Sequence, residues 1–130
     1  MNVIEIAQKL MGNANYPIVT YDIDISESDY DSKSGVIRLG TMLKDDYRDY
    51  AIIAEEIAHA EQDKDGYWAM RLAQWRILPG IAWFFVERDA KERAMNLLWL
   101  SETCLVKELT SIDVYYKATL KDYRKQTFGI

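Results

Sequence analysis

Tyr50-Ala51-Ile52-Ile53-Ala54-Glu55-Glu56-Ile57-Ala58-His59-Ala60 is apolar almost all the way round a helix, as in a helix buried inside a domain. Set into it are two carboxylates and the one histidine of the chain. Buried charge is costly unless it is paired or bound to a metal. Glu55 and His59 stand four residues apart and so share one face, with Glu56 one step round. This is the spacing of the H-E-x-x-H zinc helix, with Glu in place of the first His.

The flanks place this stretch within a chain of alternating short elements. Upstream, Val3 to Met11 carries Val3, Ile6, Ala7 and Leu10 at the spacing of a short amphipathic helix, stopped by Gly12-Asn13. Pro17 to Ile25 alternates and predicts a strand; Ser26 to Ser34 is polar and turn-rich. Gly35 to Gly40 predicts a second short strand. Asp45-Asp46 suits the N-terminus of the central helix, which runs to about Gln62 and breaks at Asp63-Lys64-Asp65-Gly66.

Downstream, Tyr67 to Leu78 reads as a helix ended by Pro79-Gly80. A long helix follows from about Ile81 to Leu100, with an inner stripe of Trp83, Glu87, Ala90, Ala94 and Leu97 in which Glu87 is the one charge. Thr110-Ser111 caps a last helix, Ile112 to Tyr123, with Gly129 beyond it. The fold class is α+β: a small N-terminal sheet on a mainly helical body. Residues 1–130 make one domain, a size that supports a core.

A hydrolytic zinc site needs three protein ligands and an open position for water. Glu55 and His59 supply the helix pair, Glu87 the third ligand, and Glu56 the general base that takes the water's proton. One imidazole with two carboxylates is a hard, anionic set that holds Zn²⁺ less selectively and accepts Mn²⁺ or Fe²⁺. A plainer reading pairs His59 with a carboxylate in the core, and Glu87 with Arg71, Arg76 or Arg88. It leaves the tryptophans as core and Asp89 to Arg93 as a solvated face. A carboxylate-bridged di-iron bundle needs Glu-x-x-His on two helices, and one histidine does not supply it.

The net charge of -5, with no long Lys/Arg run, argues against direct nucleic-acid binding. The lone Cys104 fits a reducing compartment. The first residues lack the features of a signal peptide. Ile77 to Val86 is too short to span a bilayer, so no membrane role and a cytoplasmic location are expected.

The run Ile52 to His59 resembles the metal helix of the ImmA/IrrE-type metallopeptidases, small zincin-like proteins common on phages and integrative elements. Some phage-borne members likewise have Glu-Glu where others have His-Glu. Glu87-Arg88-Asp89-Ala90-Lys91-Glu92-Arg93-Ala94 is similar to the family's second motif, whose Glu is the third metal ligand. Val36-Ile37-Arg38-Leu39 resembles the edge strand against which substrate backbone lies, which implies substrate-binding roles for Val36, Ile37 and Arg38. The tail from Asp113 to Gly129, with Tyr115, Leu120 and Tyr123, is similar to the C-terminal helix of phage-type members.

The resemblance spans about residues 17 to 129 and implies a peptidase acting on a regulatory protein such as a helix-turn-helix repressor. The alternative is a pseudo-protease that binds such a partner without cleaving it. No oxyanion donor is assignable from spacing; Tyr67 or another tyrosine is the candidate.

Overall fold

The computed structural model describes residues 1–130 and is α+β. In chain order the elements are α1 (Val3–Met11), β1 (Ile18–Asp24), β2 (Asp29–Asp31), β3 (Val36–Met42), α2 (Tyr47–Asp65), α3 (Trp68–Gln74), α4 (Pro79–Ser101) and α5 (Val106–Phe128). No helix is long and apolar enough to cross a membrane.

Asn2 and Glu5 close a capping box on α1, and Val3, Ile6, Ala7 and Leu10 enter the core as their spacing predicts. Asp46 caps α2, and Gly66 ends it in the left-handed conformation at φ 72°. The buried Asp49 accepts from the Lys44 and Asp45 amides, at 2.7 and 2.8 Å, and fixes the entry to α2. Buried Ala54 and Ala58 on α2 and Ala90 and Ala94 on α4 belong to one core cluster with Ile53, Ile57 and Leu98. Such small side chains let the two helices pack closely.

The sheet runs β1-β3-β2, with β1 parallel and β2 antiparallel to β3. β3 is therefore the central strand, which corrects the edge-strand reading of Val36, Ile37 and Arg38. These three pair with Asp29–Asp31 on one side, Ile37 and Arg38 pair with β1 on the other, and Ile37 is fully buried. The free edge beside the helices belongs to β2, which the polar, turn-rich composition of Ser26 to Ser34 concealed. Gly40 sits where β1 slips register; a Cβ there would lie 2.3 Å from the Asp24 carbonyl oxygen.

Several helix expectations shift. Pro79 begins α4 instead of serving only to stop α3, because its missing N–H would be unpaired in a first turn anyway. α3 ends at Gln74, and Arg76 and Leu78 turn the chain with positive φ. α5 begins at Val106, where the Glu108 carboxylate accepts from the Leu105 amide at 2.8 Å. Thr110 and Ser111 lie inside that helix, their hydroxyls donating back to the Val106 and Lys107 carbonyls.

The tryptophans are not core. Trp68, Trp75, Trp83 and Trp99 are 54%, 67%, 42% and 63% exposed, while alanines and Val86 take the inner positions of α3 and α4. Nor are Asp89 to Arg93 simply solvated: Lys91 is buried, and Arg93 bridges Glu61, Asp65 and Asp89.

A candidate metal centre between two helices

Glu55, Glu56 and His59 lie on α2, and Glu87 faces them from α4. One possible ligand atom from each of Glu55, His59 and Glu87 lies within 4.8 Å of the others. His59 Nε2 and Glu87 Oε1 are 3.4 Å apart, about the separation of two ligands each ~2.1 Å from a tetrahedral ion. The three residues that spacing selected therefore converge, and a Glu-His-Glu group of this kind could hold a metal ion. Glu87 pairs with none of Arg71, Arg76 or Arg88; its partners are His59 and Lys91.

The tautomer of His59 is set from behind. Its Nδ1 lies 2.9 Å from Gln62 Oε1. The Gln62 amide nitrogen donates to the Val86 carbonyl and to Asp89 Oδ2, both at 2.9 Å, so its oxygen must be the group facing the ring. Nδ1–H then donates, and the Nε2 lone pair of the neutral ring points to the carboxylates, the orientation a metal requires. Gln62 is fully buried and was missed in the sequence, although it lies three residues from His59 on the same helix.

Glu56 is buried, and its Oε2 has no hydrogen-bond partner. An orphaned buried carboxylate oxygen is expensive. The Glu56 residue lines two cavities of about 240 and 210 Å³ that also share His59 and Glu87. The first is closed by Ser26, Ser28, Tyr115 and Tyr123, the second by Asp29, Tyr30, Ser32, Met70 and Trp83. A water molecule, or a group carried by a ligand, can reach Glu56 from either. Tyr67 lines neither; its ring lies against Trp68 and under Arg93.

Burial pushes the Glu56 carboxyl up to about 8 and outweighs the pull of His59. It pushes the imidazole of His59 down, but the hydrogen bond to Glu87 and the charges of Glu56 and Glu87 prevail and hold it at about 9. Burial also raises Glu87, yet His59 and Lys91 bring it below the usual carboxylate range. Without metal, the resting site is thus an ion cluster in which His59 faces Glu87 and Lys91 faces Glu87 and Glu55.

The donor set could hold a metal ion: two carboxylates and one oriented imidazole, with an unpartnered carboxylate beside them. Comparison of the chain with protein-family models, with curated proteins and with solved structures returns no match.

Proposed function

We propose that this chain is a metal-dependent peptidase of the zincin-like, ImmA/IrrE type, acting on a regulatory protein such as a phage-type helix-turn-helix repressor. Supporting it above all is the convergence of Glu55, His59 and Glu87 beside Glu56, which has one buried, unpartnered oxygen and lines two cavities. Glu55, His59 and Glu87 would hold Zn²⁺, with Mn²⁺ or Fe²⁺ as alternatives. The ion supplies Lewis acidity and makes water acidic enough to be deprotonated near neutral pH.

The remaining chemistry falls to side chains. Glu56 accepts the proton of the attacking water and returns it to the leaving amine. Gln62 keeps the His59 ring aimed at the site. Tyr115 and Tyr123, lining the first cavity, are the phenols placed to donate to the developing oxyanion, a role for which Tyr67 is misplaced. Extended substrate would run along the free edge of β2, whose Asp29 and Tyr30 line the second cavity.

A second reading is a pseudo-protease that binds the same partner without cleaving it. It is favoured by Lys91, whose ammonium already lies between Glu55 and Glu87. Metal analysis of purified wild type beside His59→Ala decides first between the two. About one equivalent of metal in wild type and none in the variant supports the peptidase. No metal in either leaves only the binding role.

A further inference from the structure

Lys91 is 5% exposed, one turn beyond Glu87 on α4. Its Nζ lies 3.2 Å from Glu87 Oε2 and 3.5 Å from Glu55 Oε2. Behind it are the rings of Tyr116 and Tyr123, with centroids 5.9 and 5.5 Å away. Acidic and aromatic groups therefore surround one ammonium, and neither the ligand set nor the base makes use of it.

We propose that Lys91 is the built-in counter-charge of Glu55, so that the Glu55–Lys91 pair stands electrostatically for one neutral metal ligand. This inference rests on the metal reading above. With their carboxylates ionised, Glu55, Glu56 and Glu87 carry three negative charges around the neutral His59. The Lys91 ammonium reduces this to two, the charge of one divalent cation. A neutral side chain at position 55 with no lysine at 91 would leave the same balance.

The geometry of both carboxylates fits this pairing. Glu87 divides its oxygens: Oε2 faces Lys91 and Oε1 faces His59 Nε2. Lys91 thus pairs with the outer oxygen and leaves the other facing the ring. One oxygen of Glu55 is paired in the same way.

The test is a double-mutant cycle on the full chain with Lys91→Met, Glu55→Gln and both together. Two quantities are read: the melting temperature of the metal-free protein, and Zn²⁺ affinity by competition with a chromophoric chelator. With Glu55 present, Lys91→Met should lower the melting temperature, because buried Glu55 and Glu87 both lose the ammonium that pairs with them. It should tighten Zn²⁺ binding about tenfold, because the ion becomes the sole cation between them. In the Glu55→Gln background both effects should shrink by half or more.

Equal effects in both backgrounds would mean that Lys91 answers to Glu87 alone, and the counter-charge role would be wrong. Lys91→Gln guards against misfolding, since it keeps hydrogen-bond donors without the charge. It should behave like Lys91→Met, and wild-type behaviour there would overturn the proposal. A wild type that binds none of Zn²⁺, Mn²⁺ and Fe²⁺ overturns the metal reading and this role with it. Metal binding with purely additive effects overturns only this role.

Discussion

Gln62 Oε1 accepts from His59 Nδ1 at 2.9 Å, and the same amide donates to Val86 O and Asp89 Oδ2 on the neighbouring helix. One side chain therefore fixes the imidazole of α2 against the backbone of α4. Gln62→Met keeps the volume and removes both functions. Metal affinity should fall about 10- to 100-fold, the usual effect of losing a partner behind a metal-binding histidine. Stability should fall by about 1–3 kcal/mol from the unsatisfied ring N–H of the buried His59. Chelator competition and urea melts read the two effects separately; unchanged affinity would mean that Gln62 serves packing alone.

Glu56→Gln separates proton transfer from binding. The amide has the same shape and Glu56 is not a ligand, so metal binding and partner binding should persist. Cleavage should drop by about 10²-fold or more, because an amide cannot accept the proton. Co-expression with a repressor encoded nearby, read on a gel and by a repressor-controlled reporter, provides the assay. Equal relief of repression by wild type and variant, with the repressor full length, would point to action by contact alone.

Metal and heat are linked. An ion bound at 100 times its dissociation constant stabilises the fold by about 2.7 kcal/mol, so Zn²⁺ should raise the melting temperature and chelation should lower it. His59→Ala should abolish that dependence. A melting curve indifferent to chelator, Zn²⁺ and Mn²⁺ would contradict a functional centre.

The metal-free protein should lose stability as pH rises. His59 titrates at about 9 against an ordinary 6.5, so its contribution is complete below 6.5 and lost as pH climbs to about 9. Glu56 titrates at about 8 against 4.5; the fold favours its neutral form, and that preference is lost between pH 4.5 and 8. Glu87, displaced downward, acts oppositely but only as pH falls below about 4.5. Melting at pH 9 should lie several degrees below melting at pH 6, and Glu56→Gln should flatten the lower part of the slope. Melting that rises with pH across this range would mean that His59 and Glu56 are not displaced upward as described.

Gly40→Ala tests the sheet. Its Cβ would strike the Asp24 and Ile23 carbonyl oxygens at 2.3 and 2.7 Å, and backbone cannot yield as a flexible side chain does. Overpacking of this kind costs about 1–3 kcal/mol. Tryptophan fluorescence gives an independent check on the surface. With all four indoles exposed, emission should start near its water-exposed wavelength and shift little on unfolding.

The sequence by itself determined the central helix and the residues that meet on it. Helical spacing puts Glu55 and His59 on one face wherever the helix lies, and the apolar residues around them require it to be buried. It also placed Glu87 on a later helix, and α1 with its buried face, because those patterns are local. Tertiary structure decided what lies next to these residues. β3 became the central strand because the short, polar β2 pairs with it, and strand order is a long-range choice that alternation does not encode. The tryptophans were left outside because alanines fill the buried positions of α2, α3 and α4. Lys91 and Gln62 show the same limit. A lysine among Asp, Glu and Arg reads as solvent-facing, and a glutamine near a helix end reads as surface. Only the packing of α4 and α5 on α2 makes one a buried cation between two carboxylates and the other the acceptor that orients His59.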